Sequence, residues 1–299
     1  MQVKKNKIKL LRDNAVAYSL LAPAVFMFVF FVLVPAVQTI YISFTKWDGI
    51  GPKTFVGLQN YREMLADNDV YWISLKNNII WTVVSMTVPV WIGVFQANLL
   101  VRGGLRHAKI FQLIFFLPQI ISTVVAAVAW KWIYDPVLGP LTNLLKALGI
   151  KSYASGILGD PKTVLAALCV VHIWSHYGFC CVVFSSAIQA IDKTLYEAAM
   201  ADGASRTRQF WSITLPGIRE AMTTVLVLTM MWSFKVFDVV YTMTKGGPGQ
   251  HSYVIALYTF LQGFAYNRMG LASAITVSLT IICLVLSKVF VAVRERGRY

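Results

Sequence analysis

Charged side chains are scarce in this sequence of 299 residues, in which Asp, Glu, Lys and Arg together make up 13%. Soluble domains usually carry about a quarter charged residues. The few charges are clustered, and the gaps between them are long and apolar, a pattern typical of a chain that crosses a membrane several times. The net charge of +14 therefore indicates basic residues that flank membrane helices, more than a surface that binds nucleic acid.

Cysteines and catalytic motifs are also scarce. The four cysteines lie in apolar segments, and their spacing fits no zinc or redox motif, so we interpret them as small apolar packing residues. The sequence has no Gly-x4-Gly-Lys-Ser/Thr, the P-loop pattern that binds ATP. It also shows no carboxylate pair, Ser-His-Asp set or metal-ligand cluster. We therefore predict a chain that is not an enzyme and that binds no metal or cofactor itself.

Six apolar segments are each long enough for the roughly 20 residues that a membrane helix needs. They predict an all-α membrane protein with one transmembrane domain over residues 1–299. The apolar run after the basic N-terminus is longer than the core of about 7–15 residues in a signal peptide, so we expect it to stay as the first span. The predicted spans cover about 18–44, 77–101, 110–130, 163–190, 221–244 and 269–293, with a loop at 192–219 between the fourth and fifth spans.

The distribution of Lys and Arg predicts the orientation in the membrane. An even number of spans places both termini on the same side. The N-terminal tail, the loops at 101–109 and 192–219, and the C-terminal tail carry more Lys and Arg than the other loops do. Because positive charge is enriched in cytoplasmic loops, both termini are predicted to be cytoplasmic. On the other side, a short amphipathic helix is predicted at 141–148.

The loop between spans four and five carries the most informative pattern. Thr194 and Glu197 fit a capping box at a helix start, and Gly203 allows a left-handed stop. A second short helix is predicted to run toward Ile213, and Pro216 is predicted to break it before the next span. From the residues alone, this compact helix-turn-helix is either a stiff coupling element for a partner or an amphipathic loop on the bilayer surface.

The same loop resembles the EAA signature of permease subunits in binding-protein-dependent ABC importers. Glu-Ala-Ala, a following Gly and a later Ile-x-Leu-Pro match that signature in order and spacing. The resemblance implies a type I ABC importer permease with six transmembrane helices, whose cytoplasmic loop docks on an ATPase subunit. The residues to which it implies this coupling role are Glu197, Ala198, Ala199, Asp202, Gly203, Arg206, Ile213, Leu215 and Pro216.

Segments 55–61, 134–136 and 242–249 resemble sugar permeases related to the larger maltose permease subunit. This resemblance implies import of a sugar, such as a di- or oligosaccharide, across the bacterial cytoplasmic membrane. The implied partners are a second homologous permease, two ATPase subunits and an extracytoplasmic solute-binding protein. ATP and Mg are then expected in the ATPase subunits.

Polar and aromatic side chains in the later spans are candidates for the substrate path. Lys235 and Asp238 are three residues apart on the predicted fifth span, so they could pair on one helical face, or one of them could bind a substrate hydroxyl. Aromatic rings could cover the C–H faces of a sugar or simply pack between helices. The candidates for the path are Tyr177, Phe234, Lys235, Asp238, Tyr241 and Ser273.

Two other classes of function stay open on the residues alone. An ion-gradient-driven secondary transporter would use Lys235, Asp238 and His176, and such transporters often show inverted repeats, which we do not find in this sequence. A membrane scaffold would lack polar residues within its spans, whereas this chain has several. The EAA-like loop favours the importer.

Overall fold

A computed structural model describes residues 18–66, 69–149 and 156–296. The described residues form two compact units, one of residues 18–66 and 262–278 and the other of residues 69–261 and 279–296. The single domain predicted over the whole chain stays a prediction. The basic N-terminal residues that support the predicted orientation lie outside the described part: Lys4, Lys5, Lys7, Lys9 and Arg12.

The first unit opens with the long apolar helix α1 (Tyr18–Ser43), followed by two short strands and a helix. The strands β1 (Thr45–Lys46) and β2 (Thr54–Phe55) pair antiparallel, and α2 covers Gln59–Ala66. The all-α prediction did not include this hairpin, whose two strands are each two residues long.

Asp48 closes the turn of this hairpin. Its Oδ1 accepts hydrogen bonds from the backbone N–H groups of Ile50 (3.0 Å) and Gly51 (2.8 Å). Because these bonds favour the ionised carboxylate, they lower the pKa of Asp48. The local hydrogen bonds explain how a polar loop forms a defined turn here.

The regular elements among the described residues of the second unit are all helices, and they continue the numbering along the chain. They are α3 (Asp69–Arg102), α4 (Ala108–Ile120), α5 (Thr123–Ile133), α6 (Pro140–Ala147), α7 (Val164–Gln189), α8 (Lys193–Ala201), α9 (Arg206–Gly217), α10 (Arg219–Ser233) and α11 (Asp238–Thr244). The last two helices of the chain are α12 (Ile255–Ala265) and α13 (Met269–Arg296).

Six candidate membrane spans are present among the described residues if each bent helix pair counts as one. Four are single helices: α1, α3, α7 and the part of α13 at Met269–Phe290. The other two are the pair α4 and α5, bent by 94°, and the pair α9 and α10, bent by 66°. The helical membrane fold expected from the sequence is thus confirmed, with four to six candidate spans among the described residues.

The boundaries differ from the sequence prediction in instructive places. Helix α3 begins at Asp69, whereas the predicted span begins at 77, directly after the charged Lys76. A charged side chain ends the apolar part of a helix, but it does not break the backbone hydrogen bonds, so the helix itself extends further. The predicted third span at 110–130 is interrupted at Ile121, whose backbone is extended. Pro118 lies shortly before this break and supplies no backbone N–H.

Small residues bring the central helices of the second unit close together. A Cβ atom on Gly178 of α7 would lie 1.9 Å from the carbonyl oxygen of Phe115 in α4. On the face toward α3, a Cβ on Gly93 would lie 2.4 Å from the Cβ of Cys180. The four cysteines are free and at least partly buried, which agrees with their interpretation as packing residues.

Candidate functional site

The first helix of the loop, α8, begins at a different cap from the one predicted. The carboxylate of Asp192 accepts a hydrogen bond from Thr194 N at 2.9 Å, and this bond lowers the pKa of Asp192. The predicted capping box of Thr194 and Glu197 is therefore wrong. The helix starts two residues earlier, so Glu197 lies too far along it to reach back to the cap.

The end of α8 follows the prediction. Gly203 has φ of 72°, and its N–H donates to Met200 O at 3.0 Å, while Ala204 N donates to Ala199 O at 2.8 Å. This pair of bonds is the Schellman motif, which requires a left-handed residue after the helix. Ser205 then caps α9 through the bond from Arg208 N to its Oγ, at 3.3 Å.

Helix α9 continues further than predicted. It runs through a π-helical turn at Phe210–Thr214 and through Pro216. Pro216 lies in the short segment Leu215–Gly217 that directly follows this turn, and its ring supplies no backbone N–H to the helix. The chain bends instead at Ile218, with φ of −94° and ψ of 10°.

The residues predicted to couple to an ATPase differ in their exposure to solvent. Glu197, Ala198, Asp202, Gly203, Arg206 and Pro216 are exposed, whereas Ala199, Ile213 and Leu215 are partly buried. Two large apolar side chains of α8 are also exposed, Leu195 by 53% and Met200 by 56%. Helix α8 thus presents a mixed apolar and charged surface.

The inner face of the loop is attached to the C-terminal part of α3. The Arg102 guanidinium lies 3.6 Å above the ring of Tyr196, and the Tyr196 hydroxyl lies 3.0 Å from Thr214 Oγ1. One helix further, Phe210 stacks on Phe95 of α3, with 5.5 Å between ring centroids. Both helices of the loop therefore contact α3 directly.

A cavity of about 610 Å³ lies beside these contacts, lined in part by Arg102, Tyr196, Arg206 and Gln209. Sequence reasoning missed Arg102 and Tyr196 as members of the loop's framework. Tyr196 directly precedes Glu197, so its position within the motif was a usable signal. Arg102 offered none, because its contact joins residues far apart in the sequence.

The predicted fifth span is interrupted where the charged pair lies. Helix α10 ends at Ser233 and α11 begins at Asp238, so Lys235 and Asp238 do not share one continuous helical face. Among the residues that the structure describes, no ion pair joins them. Both side chains are exposed, whereas Phe234 is only 2% exposed. Of the two alternatives for these residues, the helical i, i+3 pair is therefore the one that the structure does not show.

The break is followed by an aromatic cluster. The ring of Tyr241 stacks on Phe237 at 5.2 Å between centroids and meets Phe260 edge-on at 5.5 Å. Sequence reasoning missed Phe237, although it adjoins Asp238, and it missed Phe260 because that residue lies outside the predicted spans. The structure thus places Tyr241 next to two rings that had not been considered.

The remaining path candidates lie elsewhere. Tyr177 packs against Phe115 of α4, with 6.1 Å between centroids, and Ser273 is a partly buried residue of the first unit. His176 is buried, with its Nε2 3.0 Å from Thr229 Oγ1 and its ring stacked on His172. Such contacts are typical of a hydrogen-bonded packing residue. No cluster of three or more His, Cys, Asp or Glu side chains within the described part of the chain has the arrangement of a metal site.

Known proteins resemble this chain over most of its length. Residues 90–297 match the family described as the inner membrane component of binding-protein-dependent transport systems. The probable ABC transporter permease protein YurN of Bacillus subtilis is 36% identical over 278 residues, covering 92% of this chain and 94% of that protein. The diacetylchitobiose uptake system permease protein NgcF of Streptomyces coelicolor is 33% identical over 284 residues, covering 91% and 80%.

A chain in the crystal structure of a bacterial ABC transporter involved in alginate import has the same fold, with a TM-score of 0.85 at 22% identity. That comparison covers 98% of this chain and 100% of the other. The apolar helices and the sequence matches both indicate a membrane protein of this kind. This multi-pass membrane chain belongs to the family of inner membrane components of binding-protein-dependent transport systems.

Proposed function

We propose that this chain is the permease subunit of an ATP-driven importer that moves a di- or oligosaccharide across the bacterial cytoplasmic membrane. The observation that carries the proposal is the geometry of the loop from α8 to α9. Its outer face is exposed and carries the EAA pattern, while its inner face is attached to α3 through Tyr196 and Phe210. A loop built in this way suits the transmission of a partner's movement into the membrane helices.

The proposed partners supply what this chain does not. Two ATPase subunits bind ATP and Mg and dock on the cytoplasmic loops, a second homologous permease completes the pathway, and an extracytoplasmic binding protein delivers the sugar. Both termini are cytoplasmic in this arrangement. ATP binding and hydrolysis bias a two-state equilibrium between inward-open and outward-open forms. This chain contributes the path and the coupling, not the chemistry of hydrolysis.

The exposed surface of α8 favours a protein partner over a bilayer surface. Leu195 and Met200 lie among the exposed residues Glu197, Ala198 and Asp202. A helix that lies on a bilayer usually carries several Lys and Arg residues on its polar face. Helix α8 has one basic residue, Lys193, and its other exposed charged neighbours are acidic. The apolar pair with acidic neighbours fits a cleft in a partner protein.

The proposed sugar path centres on the break between α10 and α11. A carboxylate can accept bonds from paired sugar hydroxyls, and aromatic rings can cover the apolar faces of a sugar. Asp238 supplies the carboxylate, and Tyr241 with Phe237 supplies the rings. The saccharides named for the diacetylchitobiose permease and for the alginate transporter support this class of substrate.

The proposal is tested by co-expression of this chain with an ATPase subunit, a second permease and a binding protein from the same organism. The tagged chain is purified in mild detergent and reconstituted, and ATP hydrolysis is measured with and without saccharide-loaded binding protein. We expect a complex whose hydrolysis rises when the loaded binding protein is added. A chain that purifies alone and takes up solute on a sodium or proton gradient contradicts the proposal and supports a secondary transporter.

Asp238→Asn is expected to lower sugar uptake by about tenfold or more, because a hydrogen bond to a charged group contributes roughly 1.5–3 kcal/mol. Assembly with the partners should be unchanged, since the carboxylate is exposed and makes no ion pair with Lys235. Radiolabelled sugar uptake and size-exclusion chromatography measure the two effects. The matched control is Asp48→Asn, which also removes one negative charge. The amide oxygen of the new side chain can still accept the turn bonds from Ile50 N and Gly51 N. Loss of assembly in Asp238→Asn assigns the carboxylate a structural role instead.

A further inference from the structure

The break between α10 and α11 leaves helix termini inside the second unit. A helix end exposes carbonyl or N–H groups that lack partners within the helix, and these groups are costly when they are buried without another partner. Helix α10 ends at Ser233, and helix α12 begins at Ile255 after Val254, whose side chain cannot cap it. A side chain from another part of the chain can supply partners for these groups.

One fully buried side chain on α3, Asn78, supplies a partner to both ends. Its Nδ2 donates to Ser233 O at 3.2 Å, and its Oδ1 accepts from Ile255 N at 2.8 Å. The first bond supplements the longer turn bond from Val236 N to the same carbonyl, at 3.4 Å. Only a side chain that carries both a donor and an acceptor can cap the end of one helix and the start of another at the same time.

Two neighbouring side chains on α3 also form hydrogen bonds to these segments. The Nδ2 group of Asn77 donates to His251 O at 2.9 Å and to Tyr253 O at 2.8 Å, and therefore fixes the segment that leads into α12. One turn beyond Asn78, Thr82 Oγ1 accepts from Ser233 Oγ at 2.8 Å. Ser233 is thus held at both its carbonyl and its hydroxyl.

We propose that Asn78 is a positioning residue of the transport path, which holds the break at 234–237 and the start of α12 in register by capping two helices at once. The inference rests on the proposed function, because that break carries Lys235 and leads into Asp238. It also connects the path to the loop, since the opposite end of α3 holds Tyr196 through Arg102. One helix then contacts both the moving loop and the break.

The experiment compares Asn78→Leu, which removes both bonds, with Asn78→Asp, which keeps an acceptor for Ile255 N. The control is Thr87→Val on the exposed surface of α3, where Thr87 bonds only to its own helix. Hydrogen–deuterium exchange of the purified full-length chain is followed at 234–237 and at 254–256. This measurement needs neither substrate nor ATPase.

Asn78→Leu is expected to speed exchange at both segments by about tenfold, because Ser233 O and Ile255 N lose a buried partner. Asn78→Asp is expected to keep the protection at 254–256, and Thr87→Val is expected to match the wild type. Equal exchange in Asn78→Leu and Thr87→Val would overturn the capping role. If Asn78→Leu does not accumulate, protection at 254–256 in Asn78→Asp decides the same point, and faster exchange there overturns it.

The transport role is tested in the reconstituted complex. We expect Asn78→Leu to lower sugar uptake by about tenfold, while ATP hydrolysis without binding protein stays near the wild-type rate. Wild-type uptake in Asn78→Leu, together with altered exchange, would overturn the transport role. If the wild-type complex itself shows no ATP-driven uptake, the proposed function fails, whereas the exchange result still decides whether Asn78 caps both helices.

Discussion

Among the substitutions proposed for this chain, Gly178→Ala is expected to lower its stability most. The added Cβ would lie 1.9 Å from Phe115 O and 2.7 Å from Phe115 C, and backbone atoms cannot rotate away as a side chain can. Helices α4 and α7 must then separate. Overpacking costs up to about 3 kcal/mol in most cores, which corresponds to a Tm lower by roughly 10 °C for a chain of this size. Fluorescence-detected thermal unfolding in detergent measures the change.

The matched control for this variant is Gly217→Ala. Gly217 is also helical, but its added Cβ would meet the side-chain end of Ile191 at 2.6 Å, and that side chain can move. We expect its stability to stay within about 0.5 kcal/mol of the wild type. Equal melting of Gly178→Ala and the wild type would mean that α4 and α7 do not approach as closely as described.

Gly203→Val is expected to produce the largest loss of transport. The residue has φ of 72°, a conformation that a β-branched residue adopts only at a cost of about 1–2 kcal/mol or more. No atom lies within 4 Å of an added Cβ, so the effect comes from the backbone and not from a clash. Because the residue ends α8, we expect uptake and stimulated ATP hydrolysis to fall by about tenfold or more, with normal accumulation in the membrane.

Gly149→Val is the control for backbone strain. Gly149 follows α6 with φ of 78° and also has no atom within 4 Å of an added Cβ. The same strain is therefore introduced outside the loop. We expect this variant to transport at near the wild-type rate, and similar losses in both variants would remove the special role of the α8 terminus in coupling.

These expectations place α3 at the centre of the proposed mechanism. Its 34 residues correspond to a rod of about 50 Å, longer than the roughly 30 Å of a bilayer core. Arg102 and Phe95 contact the loop, while Asn77 and Asn78 hold segments at the other end. In the proposed mechanism, a displacement of the loop reaches the break through this one helix.

The sequence by itself determined the features that depend on neighbouring residues. Apolar length alone indicated six spans, because the bilayer sets a minimum length for a helix that crosses it. The stop at Gly203 and the short helix α6 followed from local residue types, since helix capping involves residues within one turn. The EAA pattern also indicated the family correctly, because its residues all lie within one loop.

Only the tertiary structure decided the features that depend on distant residues. The cap of α8 is Asp192 and not Thr194, as the hydrogen bond from Thr194 N to the Asp192 carboxylate shows. The break after Ser233 is stabilised by Asn78, which is 155 positions away in the sequence, and the framework of the loop depends on Arg102. Periodicity cannot reveal such partners, because a hydrogen bond or ring contact between distant segments leaves no pattern in either segment alone.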